Sequence, residues 1–93
     1  MTTAIIFHKV RNGEVWSHAW KKRPGSRHEM FEAIGVKCRT FHDPNNLNTT
    51  GLMLEIPDMG KFQELLQSEE AGIAMRDDGL EVDTMQMLVE FTP

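Results

Sequence analysis

The sequence is short of cysteine, of long apolar runs and of positive charge, and each shortage excludes a class of protein. Its single cysteine, Cys38, has no partner for an internal disulfide, which is typical of a reducing compartment. No apolar run approaches the roughly 18 residues that cross a bilayer. The opening stretch, MTTAIIFHKV, has neither a basic leader nor a cleavage site. We therefore expect a cytoplasmic protein that has no membrane partner.

A net charge of −4 argues against nucleic acid as a partner, because nucleic-acid binders gain much of their affinity by neutralising phosphates. The basic stretch KKRPGSR, residues 21–27, surrounds a Pro-Gly break and is interpreted as a solvated helix end. A content of 40% hydrophobic and 26% charged residues is that of an ordinary globular protein. We expect residues 1–93 to form a single domain with a thin core, since so short a chain buries only roughly 60 to 65% of its unfolded surface.

Local patterns predict a strand and then a broken helical region in the first part of the chain. Residues 3–10 are β-branched and aromatic and precede Asn-Gly, so they predict a first strand. Apolar side chains spaced i, i+3 and i+4 predict a helix over 14–22, which a Pro-Gly pair interrupts. Ser26 and Glu29 then form a capping box for a second helical segment, and Gly35 stands where a left-handed cap would end it.

The rest of the chain predicts a hairpin, a second helical region and a last strand. Residues 36–42 and 49–56 have the pattern of strands, and DPNNLN between them is dense in turn formers. Asp58 and Ser68 are suited to begin helices, and residues 80–91 predict the final strand. The order β-α-β-β-α-β predicts an α+β, ferredoxin-like sandwich, in which a four-stranded antiparallel sheet carries its helices on one face.

The strands also predict an open sheet face that is too apolar to remain in water. We assign one set of side chains to the helix-covered face: Ile5, Phe7, Leu52, Leu54 and Ile56. The first strand then leaves another set on the open face: Ala4, Ile6, His8 and Val10. An apolar patch of this kind is typical of a partner surface, and the simplest partner is a second copy of the chain. We predict a homodimer whose sheets pack face to face around a cavity lined by Ile6, His8, Phe41, Met53, Met85 and Met87.

Several stretches of the sequence resemble the small proteins of the dimeric α+β barrel superfamily. The stretches are IFHKVRNGEVWSHAW, FHDPNN, and EIPDMGKFQELLQSEE followed by AMRDDGLE, which together cover nearly the whole chain. Within the superfamily they are most similar to proteins related to the antibiotic-biosynthesis monooxygenases. The likeness rests on the order of strands and helices, on a histidine in strand one followed by a helix tryptophan, and on a DP-N hairpin.

The resemblance implies a dimeric, ferredoxin-like subunit with a cavity between its sheet and its helices. Members of the superfamily use this cavity for cofactor-free oxidation of aromatic polyketides, for haem degradation or for small-molecule lactone chemistry. The haem-degrading members use an Asn, Trp and His set, and no asparagine of this sequence falls on a matching position. The resemblance therefore implies a monooxygenase-like protein that needs no cofactor.

His8 is the candidate catalytic residue, because a neutral imidazole on an otherwise apolar strand can act as a general base near neutral pH. The alternative is a hydrogen-bonded histidine of the interior or of an interface. The candidate ligand-binding residues are Trp16, Trp20, Phe41, His42, Met53, Met85 and Met87. Core packing also accounts for tryptophans one helical turn apart, and methionines also fill irregular gaps in cores.

Other candidate sites have ordinary structural explanations. His42 and Asp43 are adjacent in a strand and point to opposite faces, so they do not pair as acid and base. The PNN that follows explains Asp43 by turn chemistry. Cys38 would be a nucleophile only beside a base that lowers its pKa. The sequence contains no zinc spacing, calcium loop or glycine-rich phosphate loop, so we expect no metal.

The same topology serves other functions, and the residues distinguish some of them. TTGLMLEI lacks the stacking aromatics that an RNA-recognition domain places on its central strands, and VRNGEV is unlike the phosphate-cradling loop of an acylphosphatase. Two alternatives to an enzyme stay open. One is a non-catalytic module that binds or senses a small organic ligand, for example in a stress response. The other is a structural dimer, which the absence of any cavity above about 300 Å³ would favour.

Overall fold

The computed structural model describes residues 1–21 and 24–93, and within them four strands form one antiparallel sheet. The strands are β1 (Thr2–Val10), β2 (Lys37–Asp43), β3 (Asn46–Ile56) and β4 (Leu80–Val89), in the order β2-β3-β1-β4. The helices are α1 (Gly13–Ala19), α2 (Arg27–Glu32), α3 (Met59–Leu66) and α4 (Glu69–Asp77). The chain therefore has the ferredoxin-like α+β fold that the order of its elements predicted.

Polar side chains begin the helices close to the predicted positions. Asn12 Oδ1 accepts hydrogen bonds from the backbone N–H groups of Glu14 and Val15 at the start of α1. Asp58 caps α3 and Ser68 caps α4 in the same way, as the sequence predicted. Among the described residues, no helix combines the length and the apolar character needed to cross a membrane.

The predicted capping box at the start of α2 forms only in part. Ser26 is the N-cap residue, but its side chain makes no capping hydrogen bond. Glu29 Oε2 instead accepts a hydrogen bond from the backbone N–H of Gly25, at 3.0 Å. After the helix, Gly35 has a φ of 77°, which confirms the left-handed position predicted for it.

The basic stretch KKRPGSR lies partly outside the described residues, because Lys22 and Arg23 fall in the gap. Lys21 is exposed, in agreement with a solvated helix end. Arg27 is not solvated in that sense, since its guanidinium pairs with the buried carboxylate of Asp78 at 2.8 Å. The interpretation of Arg27 as part of a solvated helix end was therefore wrong, because Arg27 forms an ion pair with an aspartate that is far from it in the sequence.

The hairpin between β2 and β3 is tighter than predicted. Asp43 pairs with Asn46, so β3 begins at Asn46 and only two residues, Pro44 and Asn45, form the loop. Asp43 Oδ1 accepts a hydrogen bond from the backbone N–H of Asn45 at 2.8 Å and fixes the turn. The turn chemistry predicted for Asp43 is thus confirmed.

The faces of β1 are the reverse of the sequence prediction. Pairing with β3 places Ile6 beside Leu52, which is buried under the helices. The buried side chains of β1 are Ala4, Ile6, His8 and Val10. Phe7 points the other way and is 47% exposed. In AIIF, apolar residues point to both sides of the strand, so the sequence of β1 did not show which side faces the helices. The assignment for β3 was correct.

The helix-covered face of the sheet and the inner sides of the helices form one hydrophobic core. Its fully buried side chains include Leu54 and Ile56 of β3 and Phe62 of α3. Trp16 of α1 and Phe31 of α2 complete it beside β1. This core places residues of β1 and of the two first helices around a common space, where His8 lies.

Candidate functional site

A cavity of about 60 Å³ lies between the sheet and the helices. Its apolar lining comes from both layers and includes Ile6, Leu52, Met85, Trp16, Phe31 and Ala74. The polar groups at its wall are His8, Arg27 and Asp78. An apolar cavity of roughly 150 Å³ holds one benzene molecule. The cavity in this conformation therefore accepts a molecule of only a few heavy atoms.

His8 is 4% exposed and borders the cavity from β1. Its Nδ1 contacts Oγ1 of Thr50, the opposite residue on β3, and this hydroxyl donates to the His8 carbonyl oxygen at 2.9 Å. Nε2 has no hydrogen-bond partner among the described residues, and it is not among the fully buried unpaired polar atoms. Burial lowers the pKa of His8, and a hydrogen bond with its own backbone opposes this to a lesser extent.

The regular pairing between β1 and β4 is interrupted at His8. It continues on either side of that residue, with Phe7 opposite Gln86 and Lys9 opposite Glu81. Residues 82–85 of β4 therefore stand opposite His8 alone. Met85, which belongs to this irregular segment, lines the cavity. Irregular pairing of this kind recurs beside active sites because it redirects side chains.

A row of aromatic rings extends from His8 into the helices. Trp16 meets His8 edge-on with 5.6 Å between ring centroids, and Trp20 follows at 6.1 Å from Trp16. Trp20 stacks on Phe31 at 5.6 Å and meets His28 edge-on at 5.1 Å. Both tryptophans are buried, which confirms core packing for them, and both also line the cavity.

An ion pair closes part of the cavity wall. The guanidinium of Arg27 donates two hydrogen bonds of 2.8 Å to the carboxylate of Asp78. The pair joins the first residue of α2 to the C-cap of α4. The hydrogen-bonded carboxylate raises the pKa of Arg27, and Arg27 in turn supplies the positive charge that an acidic group at a helix C-terminus requires.

The predicted ligand-binding residues do not share a single site. An open groove of about 410 Å³ between α1 and the edge strand β2 is lined by Trp16, Trp20, Phe41 and His42. Met85 lies instead in the cavity with His8. Met53 is half-buried on the open face of the sheet, and Met87 is 40% exposed on β4. Because Trp16 and Trp20 border both spaces, the two rings separate the cavity from the groove.

The cavity predicted between two sheets was wrong in its lining. Ile6, His8 and Met85 lie on the helix-covered side of the sheet. Phe41 and Met53 belong to the opposite face, according to the pairing of β2, β3 and β1. The error follows from the reversed faces of β1. The location between sheet and helices, which the family resemblance implied, is the one in which His8 meets a cavity.

Cys38 is unsuited to nucleophilic chemistry. Burial raises the pKa of its thiol to about 12, and the nearby Glu32 carboxylate adds to this rise. The sulfur is thus protonated at neutral pH, as expected for a cysteine without an activating base. In the part of the chain that the structure describes, no group of three or more His, Cys, Asp or Glu side chains is placed to hold a metal ion.

Thr50, Arg27 and Asp78 belong to the site and were missed in the sequence. No local pattern marks Thr50, because its contact with His8 depends on how two strands pair. Arg27 was hidden within a basic stretch that resembles a solvated surface. Asp78 did provide a signal, since an acidic residue at the end of a helix opposes the helix dipole and requires a compensating charge.

Comparison with known proteins gives matches among solved structures. The chain is similar to an antibiotic biosynthesis monooxygenase, with a TM-score of 0.65 and 11% identity over 100% of this chain and 99% of the other. It is also similar to a Nitrosomonas europaea protein assigned as an antibiotic biosynthesis monooxygenase, with a TM-score of 0.70 and 9% identity over 99% and 98% of the two chains. No protein-family model and no curated protein matches the chain. The resemblance seen in the sequence is confirmed at the level of the fold.

Proposed function

We propose, from the fold shared with an antibiotic biosynthesis monooxygenase and with a protein assigned as one, that this chain binds a small aromatic ligand beside His8 and oxidises it with dioxygen without a cofactor. The observation that carries the proposal is a buried imidazole at the wall of an apolar cavity, whose Nε2 has no hydrogen-bond partner among the described residues. An imidazole whose pKa is lowered by burial is unprotonated at neutral pH. It can therefore accept a proton, which is the first requirement for a general base.

The proposed reaction begins with proton transfer from an activated CH₂ group of the ligand to Nε2 of His8. The resulting carbanion gives its electrons to O₂ and forms a peroxide anion, which takes the proton back from the His8 imidazolium and becomes a hydroperoxide. Loss of water then leaves a carbonyl group. One oxygen atom enters the product and the other leaves as water. The ligand supplies all the electrons that reduce O₂, so the chain needs only to bind the ligand, remove the proton and limit access of water.

The cavity has to widen before a ring system can enter. Flexible methionine side chains form an adaptable part of its wall: Met30 on α2, Met75 on α4 and Met85 on β4. Rotation of these side chains, with a small shift of α2 against α4, would enlarge the space beside His8. A ligand could enter the cavity from the adjoining groove. The two spaces have Trp16 and Trp20 in common in their linings, so movement of these two rings would join them.

Oxygen consumption with anthrone, a tricyclic compound with an activated CH₂ group, tests this proposal. We expect His8→Gln to lower the rate by roughly 100-fold or more, which is the usual loss when a general base is removed. His28→Gln is the matched control, because His28 is also buried and touches Trp20 but does not line the cavity. An equal rate in wild type and His8→Gln would contradict a catalytic role for His8.

A non-catalytic binding module is the second candidate, because the same apolar cavity with His8 at its wall could hold a ligand without any reaction. The size of the cavity, about 60 Å³ against roughly 300 Å³ or more for typical ligand pockets, instead favours the structural dimer. For this candidate, wild-type protein would consume no oxygen with anthrone and yet bind an aromatic compound in the core. The third alternative, a structural dimer, would show neither property.

We also propose that the chain forms a homodimer through the open face of its sheet. The centre of that face carries Ile5, Phe7, Phe41, Met53 and Leu88, with Gln86 opposite Phe7 and Arg39 on the edge strand over the ring of Phe41. Charged side chains surround it, among them Lys9, Lys37 and Glu55. An apolar centre with a polar rim is typical of protein interfaces, and a second copy presents the same surface with two-fold symmetry.

A further inference from the structure

We infer that Thr50 is a positioning residue, which holds His8 in the tautomer with its proton on Nδ1 and so presents the lone pair of Nε2 to the cavity. The inference deepens the proposed function and rests on it in one respect, namely the use of His8 as a base. The tautomer itself depends only on the hydrogen bonds around the ring.

The hydrogen bonds of Thr50 determine where the imidazole proton lies. A threonine hydroxyl has a single hydrogen and can donate only once. The carbonyl oxygen of His8, 2.9 Å away, can only accept, so the hydrogen bond between these two oxygens uses the hydroxyl hydrogen. In its other contact, with Nδ1 of His8, the hydroxyl oxygen then accepts. Nδ1 must then carry the proton, and in a neutral ring Nε2 is left unprotonated.

Burial makes this arrangement specific. Thr50 is 3% exposed and His8 is 4% exposed, so water is not at hand to replace either hydrogen bond. The two residues face each other across β1 and β3, which fixes their separation through the backbone. Thr50 does not line the cavity, whereas His8 does. The Nδ1 edge of the ring is thus directed to β3, and the Nε2 edge is left for the cavity.

The tautomer decides what the ring can do. With the proton on Nδ1, Nε2 can accept a proton from a ligand, and the developing positive charge is stabilised by the hydrogen bond to Thr50. With the proton on Nε2, the ring would present a donor to the cavity and could not act there as a base. Thr50 therefore has no contact with the ligand and acts through His8.

Long-range ¹H–¹⁵N correlation spectra of ¹⁵N-labelled protein at pH 7.5 test the inference, because they distinguish the protonated from the unprotonated ring nitrogen. In wild type we expect a protonated Nδ1 and an unprotonated Nε2 for His8. Thr50→Val removes the hydroxyl and keeps the shape, and we expect it to shift the tautomer ratio toward Nε2–H by roughly tenfold, the factor that one hydrogen bond supports. Thr50→Ser restores the hydroxyl and should restore the wild-type ratio.

Thr49→Val is the matched control, since Thr49 pairs with Lys9 and points to the other face of the sheet. A protonated Nε2 in wild type would overturn the inference, and so would an unchanged ratio in folded Thr50→Val. If Thr50→Val does not fold, wild type and Thr50→Ser must both show a protonated Nδ1, and any other result overturns it. A tautomer shift as expected, together with equal anthrone turnover in wild type and His8→Gln, would support the role of Thr50 and refute the proposed function.

Discussion

His8 is buried beside apolar side chains, yet its Nε2 has no hydrogen-bond partner among the residues that the structure describes. Burial disfavours the charged form of the imidazole ring, because the charge loses its hydration. This cost lowers the pKa of His8. The contact with Thr50 satisfies Nδ1, and the His8 side chain borders the cavity. An apolar side chain would fill this part of the core without the cost of burying an unpaired nitrogen, so packing alone does not explain a histidine here.

The lowered pKa predicts how stability depends on pH. The unfolded chain binds a proton at this position near pH 6.5, the ordinary histidine value, whereas the folded chain resists protonation to lower pH. The contribution of His8 to stability is therefore complete above pH 6.5 and is lost as the pH falls from there toward the pKa of the folded state. The loss is at most about 1.4 kcal/mol per pH unit.

Urea unfolding at pH 7.5 and at pH 5.5 measures this effect. The free energy of unfolding should fall more steeply in wild type than in His8→Gln, which has no titrating ring at this position. Parallel curves for wild type and His8→Gln would show that His8 titrates alike in the folded and unfolded chain.

At this scale the sequence identified the residue but not its surroundings. A histidine among the apolar residues of β1 could be selected as a candidate because its type and its neighbours are visible along the chain. Its burial, its partner Thr50 and the neighbouring Trp16 depend on contacts between distant segments. For that reason His8 stays a candidate chosen from the sequence, while its placement on the open face of the sheet was wrong.

The placement of α1 depends on a close approach between backbones. Gly13 is the first residue of α1, and its N–H donates to Asn48 Oδ1 at 2.8 Å. A Cβ at this position would lie 2.1 Å from the carbonyl oxygen of Leu47, which belongs to the backbone and cannot turn away. The absence of a side chain thus lets α1 lie against the start of β3, and this sets the position of Trp16.

We predict that Gly13→Ala lowers the free energy of unfolding by about 3 kcal/mol or prevents folding, because the new methyl group overlaps backbone atoms. Gly72→Ala is the matched control, since Gly72 lies in α4 with open space around its Cα. There the same change should raise stability by roughly 0.5 to 1 kcal/mol. Urea unfolding of the two variants gives both values, and equal effects would contradict this explanation of α1.

Elements were predictable where the determining residues are local. Asp58 and Ser68 cap helices in their own sequence neighbourhood, so the starts of α3 and α4 were found. The irregular pairing of residues 82–85 opposite His8 was not found, because LEVDTMQM has no glycine or proline to mark it. It results from how β4 fits beside β1, which only the assembled sheet determines.

For the whole molecule, the order of elements was sufficient to predict the fold. Alternation of strands and helices, with a tight hairpin in the middle, permits few compact arrangements of so short a chain. The open face of the sheet was predicted to be half apolar, and it carries apolar side chains among charged ones, although the residues from β1 are Ile5 and Phe7 rather than Ile6 and His8. The pairing of two such faces stays a prediction.

We predict that the wild-type chain sediments at micromolar concentration with twice the mass of one chain. Phe7→Glu combined with Phe41→Glu should give a folded monomer, because these side chains are 47% and 45% exposed in the single chain and their loss leaves the core intact. Val15→Glu, an equally exposed position on α1, should leave the dimer unchanged. A wild-type monomer under these conditions would contradict the proposed interface.

The central claim is that an aromatic ligand binds in the core beside His8, and the methionines report on it directly. Of the seven methionines, Met30, Met75 and Met85 line the cavity. The others lie elsewhere in the fold: Met1, Met53, Met59 and Met87. Titration of protein labelled with ¹³C in the methionine methyl groups, with 1-naphthol as the probe, follows both sets in one spectrum. We expect the signals of Met30, Met75 and Met85 to shift while the other four stay in place, and shifts confined to Met53 and Met87, or no shifts at all, would contradict the claim.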